Sequence, residues 1–74
     1  MGKLILTYIG DDDWCRPVYK GNDGQLFKDT NMISKSTKKC DKNSFCTSDG
    51  FFDEPDTPMA YIKKYESIEV ELKF

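Results

Sequence analysis

Gly21-Asn22-Asp23-Gly24 lies between Val18-Tyr19 on one side and Leu26-Phe27 on the other. An Asp-Gly pair supplies the positive-φ positions of a tight chain reversal, and β-branched and aromatic residues on both flanks supply strands. The stretch is predicted to be a β-hairpin with arms Trp14 to Lys20 and Gln25 to Asp29. Pro17 has no N–H to give to a ladder, which confines it to an edge or to the first residues of its strand. A lone hairpin is marginal in water, so the rest of the chain has to supply further strands or a covering layer.

Two segments meet that need. Leu4 to Ile9 is apolar and β-branched with no helix cap before it, and reads as a central strand apolar on both faces, ended by Gly10 and Asp11-Asp12-Asp13. At the other end Ile68, Val70, Leu72 and Phe74 alternate with Glu69, Glu71 and Lys73, the period of a half-buried strand. Such a strand is expected beside the central one. Residues 30–49 are rich in Ser, Thr, Lys, Asn and Asp and read as a long polar loop, with at most a short strand around Phe45 to Thr47. Phe51 to Pro58 holds two prolines among acidic residues and reads as a second turn region. After it, Thr57 as cap and Pro58 at the first position would start a short helix over Met59 to Tyr65, with Met59, Ile62 and Tyr65 on one face. The fold class that follows is mainly β, a small α+β variant included: four to five largely antiparallel strands with at most one short helix, in a single domain over residues 1–74.

Size and composition bound the function. A chain of 74 residues is too short for a two-domain enzyme, and one this small buries only about 60% of its unfolded surface. A deep cleft would be hard to hold open on such a core. There is no histidine, which removes the commonest general base, the commonest zinc nitrogen ligand and the usual partner of a Ser or Cys nucleophile. No catalytic residue is assigned and no enzyme is expected. The longest fully apolar run, Leu4-Ile5-Leu6, is far short of a membrane span. With no secretory leader pattern either, a cytoplasmic protein without membrane attachment is expected.

Charge is uneven along the chain. Residues 21–42 carry five lysines against three aspartates, whereas residues 43–74 carry three lysines against seven acidic residues. Lys35-Ser36-Thr37-Lys38-Lys39 has no interleaved aromatics, so nucleic acid is not the partner the pattern favours. Asp11-Asp12-Asp13 lacks the spacing of a calcium loop and reads as a solvated turn. Cys15, Cys40 and Cys46 cannot all pair within one chain, have no C-x2-C spacing and no fourth ligand, and read as reduced thiols. No metal and no cofactor is expected.

Trp14-Cys15-Arg16-Pro17-Val18-Tyr19 differs in kind, because it packs an indole, a guanidinium, a proline and a phenol into six residues. On an exposed strand these would form a binding hot spot. In a domain this small the tryptophan is more readily spent on the core, with Arg16 stacking on an aromatic or pairing with a carboxylate, Asp53, Glu54 or Asp56.

Asp13-Trp14, Arg16-Pro17-Val18-Tyr19-Lys20, the glycine turn, Leu26-Phe27-Lys28-Asp29 and Phe52-Asp53-Glu54-Pro55-Asp56-Thr57-Pro58 together resemble one of the large polyvalent-protein-associated domains of phage and conjugative-element proteins. The resemblance spans about residues 10–58. It departs from the usual pattern at Cys15, at Asp53 and in the lysine-rich stretch after Asn31. It implies a bacterial mobile-element or phage setting and no established activity, with Arg16, Tyr19, Glu54 and Asp56 in the shared pattern. The expected function is a non-enzymatic interaction module binding a protein partner through Trp14, Arg16, Tyr19, Glu54 and Asp56. The alternative is an acidic anti-defence protein, mimicking nucleic acid or inhibiting a host factor, suggested by the acidic C-terminal third.

Overall fold

The computed structural model describes residues 2–74. Five strands form one mixed sheet: β1 (Lys3–Asp11), β2 (Pro17–Gly21), β3 (Leu26–Asp29), β4 (Phe45–Ser48) and β5 (Glu69–Lys73), in the order β4-β3-β2-β1-β5. The predicted hairpin is β2–β3. Gly24 takes φ +91°, and the reversal closes through Gly24 N–H to the Gly21 carbonyl and Gly21 N–H to the Gln25 carbonyl. Pro17 opens a central strand, the one place in it where its missing donor is harmless. β5 lies beside β1 as expected, and it runs parallel to it with Leu4 opposite Val70 and Leu6 opposite Leu72. A parallel neighbour requires the chain to cross the sheet from β4 at one edge to β5 at the other.

That crossing supplies most of the helical structure. Met59–Tyr61 forms a 3₁₀ turn, and after extended Ile62 the helix α2 covers Lys63–Glu66. The single helix expected over Met59 to Tyr65 is thus split in two, with neither Thr57 nor Pro58 giving a side-chain cap. The predicted apolar face survives the break, because Met59 and Tyr65 are buried and Ile62 packs beside them. Lys42 holds the exit in place, its ammonium donating to the carbonyls of Glu66 and Ile68.

The segment expected as a long loop, residues 30–49, contains β4 and a one-turn helix, α1 (Ser34–Thr37). No periodicity announces α1. A buried side chain builds it instead: the Asp29 carboxylate accepts the N–H groups of Asn31, Ile33 and Ser34 at 3.1, 3.0 and 2.8 Å, satisfying donors that a helix start leaves free.

The two faces of the sheet are covered differently. On one face Leu4, Leu6, Tyr19, Phe27 and Phe45 pack against Met59 and Tyr65. Tyr19 and Phe45 lie 5.2 Å apart between ring centroids, and Phe27 meets Tyr65 edge-on at 5.2 Å. Cross-strand register puts Val18, Lys28 and Cys46 on the opposite face. All three are buried, beneath the connection from β4 towards the 3₁₀ turn. The part of that face carrying Ile5, Thr7 and Ile9 is more open, so β1 is central in the sheet yet covered fully on one side only.

Phe27→Ala is expected to destabilise the fold by about 3–5 kcal/mol in urea unfolding, since it opens a cavity at a fully buried ring. Tyr65→Phe, which removes the 2.5 Å hydrogen bond from the phenol to Asp23, is expected to cost about 1–2 kcal/mol by the same measurement.

Candidate functional site

The feature that organises the chemistry of this molecule is the Asp12 carboxylate. A bulge in β1 between Tyr8 and Gly10 shifts the register against β2. Gly10 takes φ +136° there, and a Cβ at this position would stand 3.1 Å from the Phe51 ring. Beyond the bulge Asp11 turns to the Tyr8 side, accepting the phenol at 2.7 Å and pairing with Lys35 at 3.3 Å. Asp12 turns the other way and is buried. The expected solvated turn is therefore corrected at its middle residue: a carboxylate bonded on both oxygens is drawn inside.

Asp12 Oδ2 lies 2.9 Å from Lys28 Nζ and 2.9 Å from Arg16 Nε, and Oδ1 accepts the backbone N–H groups of Trp14 and Arg16, each at 2.9 Å. The Lys28 side chain is 0% exposed and its ammonium also donates to the Asp53 carbonyl. Burial by itself would raise the Asp12 pKa. The hydrogen bonds from Lys28, from the Arg16 backbone and guanidinium and from the Trp14 backbone outweigh that effect, and hold the carboxyl well below the usual carboxylate range. Every oxygen lone pair that could serve a metal or a proton transfer is already committed.

Two backbone bonds close the same turn, Asp12 N–H to the Arg16 carbonyl at 3.1 Å and Cys15 N–H to the Asp12 carbonyl at 3.0 Å. Cys15 sits in the left-handed region at φ 63°. At the apex of this pinned turn the Trp14 indole is 68% exposed. The expectation that the small core would take up its only tryptophan is thereby overturned. Tyr19, Phe27 and Phe45 fill the sheet's main core face, and the bonds to Asp12 leave the residue two places along the turn facing outward.

The remaining predicted site residues divide. Arg16 is largely buried, its Nε on Asp12, with Nη1 3.7 Å from Glu54 Oε1, so one of the three expected acidic partners is found. Tyr19 is fully buried, with its hydroxyl 2.6 Å from Ser34 Oγ, and cannot line a surface. Its place in the binding set is corrected, because β2 alternation turns it to the aromatic core. Glu54 and Asp56 are exposed on the loop after β4, and the Asp56 backbone N–H reaches the Thr47 carbonyl. The structure thus brings Trp14, Arg16 and Glu54 together on two linked loops. It adds Phe52, 67% exposed on the second loop and stacked edge-on against Phe51. Sequence reasoning missed Asp12 and Lys28. The available signal was the position of Lys28 on β3, where pairing opposite Val18 puts it on an apolar, covered face.

Cys40 and Cys46 offer no alternative centre. Cys40 and Cys46 are pushed up by burial, Cys40 to about 12, which leaves both thiols protonated and unreactive at neutral pH. Among the described residues no cluster of Cys, Asp or Glu has the geometry of a metal site, and no helix is long and apolar enough to cross a membrane. Comparison of the chain with family models, with curated proteins and with solved structures finds no match to any of them.

Asp12→Ala is expected to cost about 3–5 kcal/mol in urea unfolding, because it strands Lys28 in the interior. Lys28→Met should cost clearly less, since Asp12 keeps Arg16 and two backbone donors. The Asp12 pKa is lower in the fold than in the unfolded chain, so the stability it contributes is complete above about pH 4 and is lost as pH falls through the folded-state value. Measured over a pH series, the loss of stability below about pH 4 should be shallower in Asp12→Asn than in the parent.

Proposed function

We propose that this chain is a non-enzymatic interaction module that binds a protein partner through the paired loops 12–16 and 50–56, with Trp14 as the anchor. The observation that carries the reading is a largely exposed indole on a turn fixed by four bonds to one buried carboxylate. An exposed tryptophan on a mobile loop would lose much of its contact energy to ordering. One already fixed does not, and tryptophan is among the residues that most often dominate binding. Asp13, Glu54 and Asp56 are exposed on the same loops, so the matching partner surface is an apolar pocket with a basic rim. Arg16 acts here as a positioning residue. A non-enzymatic role is supported by the saturation of Asp12 and the protonated state of the buried thiols. The mobile-element setting rests on the resemblance of residues 10–58 alone. The anti-defence alternative is weakened by the dispersal of acidic charge, since Glu71 is paired with Lys3, and Lys63, Lys64 and Lys73 lie among the acidic residues of the C-terminal third.

Trp14→Ala should leave stability within about 0.5 kcal/mol of the parent, as expected for a surface position, yet weaken partner binding by about 2 kcal/mol or more. The check is affinity capture from the encoding organism with parent, Trp14→Ala and Ile9→Ala baits, followed by titration of the captured partner. Retention of every partner by a folded Trp14→Ala bait would sink the proposal.

A further inference from the structure

The two edges of the sheet are not equivalent. The β4 edge is closed by its own chain: Thr47 N–H donates to the Thr57 carbonyl, Asp56 N–H donates to the Thr47 carbonyl, and Cys46 forms a bridge with Pro58. Among the described residues β5 pairs only with β1. Among the described residues its other side carries no proline, no bulge and no paired segment, and its protection is limited to its short length and the charged Glu69, Glu71 and Lys73. Along it runs a groove of about 600 Å³ lined by Lys38, Lys39 and Lys42, by the apolar Val70 and Leu72, and by the acidic Glu69 and Glu71.

The cations of this groove are unequally occupied. Lys3 is held by Glu71 at 2.8 Å, and Lys42 is spent on the carbonyls of Glu66 and Ile68. Lys38 and Lys39 are exposed and form no ion pair among the described residues, with Lys38 Nζ 4.3 Å over the Phe74 ring. Lys38 follows α1 in the left-handed conformation, φ 59°, with its N–H bonded to the Ser34 carbonyl at 2.7 Å. Its position beside the edge is therefore set by the fold.

We propose that the free edge of β5 accepts an extended, acidic segment of a partner protein as a sixth strand. Main-chain hydrogen bonds to β5 would supply the adhesion, and alternate carboxylate side chains reaching Lys38 and Lys39 would supply the selectivity. A second copy of this chain fits less well. Paired antiparallel edge to edge, its own β5 would turn Ile68, Val70, Leu72 and Phe74 to the lysines, keep Glu69 and Glu71 on the opposite face, and bring a second lysine pair against the first. The surface is separate from the Trp14 loops and uses none of their residues.

The test is an amide NMR titration of the whole chain with end-blocked peptides of about six to eight residues, the length of a typical strand. One alternates Glu with Thr, and one alternates Lys with Thr. The Glu peptide at millimolar concentration should shift the amides of residues 38–42 and 69–73, and N-methylation of its alternate amides should abolish the effect. The exposed double variant Lys38→Glu/Lys39→Glu should keep its fold, as judged by unchanged remote amides, and weaken the Glu peptide by about tenfold or more. No shift in β5 at millimolar peptide, equal response to the Lys peptide, or self-association through β5 without peptide would each overturn the proposal. The Trp14→Ala variant should titrate as the parent does, so failure here and failure of the Trp14 reading are read separately.

Discussion

A fully buried lysine in a chain of 74 residues is the constraint around which one side of this fold is arranged. Lys28 sits mid-strand in β3, and an ammonium there has no water to solvate it, so the fold must bring a carboxylate to it. Asp12 arrives from the β1–β2 turn, the Asp53 carbonyl from the loop after β4, and Arg16 shares the same carboxylate. Three segments remote in sequence are thereby tied at one point. Two apolar residues could have filled the same volume with no desolvation cost, and such replacements often stabilise. In the observed arrangement of the two loops every buried side-chain donor and acceptor is satisfied, and among the described residues none is left unpaired.

The opposite face works on a different principle. Leu4, Leu6, Tyr19, Phe27, Phe45, Met59 and Tyr65 form a compact aromatic-rich cluster in which apolar area provides the driving force. Its polar tips are also used. Tyr19 fixes α1 through Ser34, and Tyr65 reaches Asp23 in the hairpin turn, a bond that together with burial keeps its phenol protonated far above the ordinary range. A domain too small for a thick core thus gains order from side chains that pack and hydrogen-bond at once.

What could be read from the sequence was what local periodicity encodes. The Asp23-Gly24 reversal, the alternation from Ile68 to Phe74 and the apolar run Leu4 to Ile9 each state their own conformation, and all three are strands or turns where expected. Features set by contacts between side chains carry no such periodic signal. α1 exists because Asp29 caps it from outside, and Asp12 is buried because Lys28 lies across the sheet, whereas the short strand expected around Phe45 to Thr47 is present as β4. Asp29 stands five residues from Ser34 but sets up no periodicity, and Lys28 is sixteen residues from Asp12 in the chain. The exposure of Trp14 has a different source: a small domain does need its aromatics, but Tyr19, Phe27, Phe45 and Tyr65 fill the core without it.

The two surfaces singled out differ in how the fold maintains them. Trp14 is displayed by a closed turn in which a residue other than glycine is held at positive φ, a conformation that costs of order 1 kcal/mol and persists only when its surroundings fix it. Asp12 does the fixing, through bonds to the residues on both sides of Cys15. The indole's orientation is therefore coupled to the buried ion pair: a change that loosens Lys28 acts on Trp14 without touching it, and a change at Arg16 also removes the guanidinium 6.0 Å from the indole ring. The β5 edge has no such device. Its single ladder to β1 and its half-buried Val70 and Leu72 leave it less constrained than the strands around Asp12, and a sixth strand would complete its hydrogen bonding and cover that apolar rim together. A small module can in this way keep one surface rigid by internal electrostatics and another open by leaving a strand unpaired.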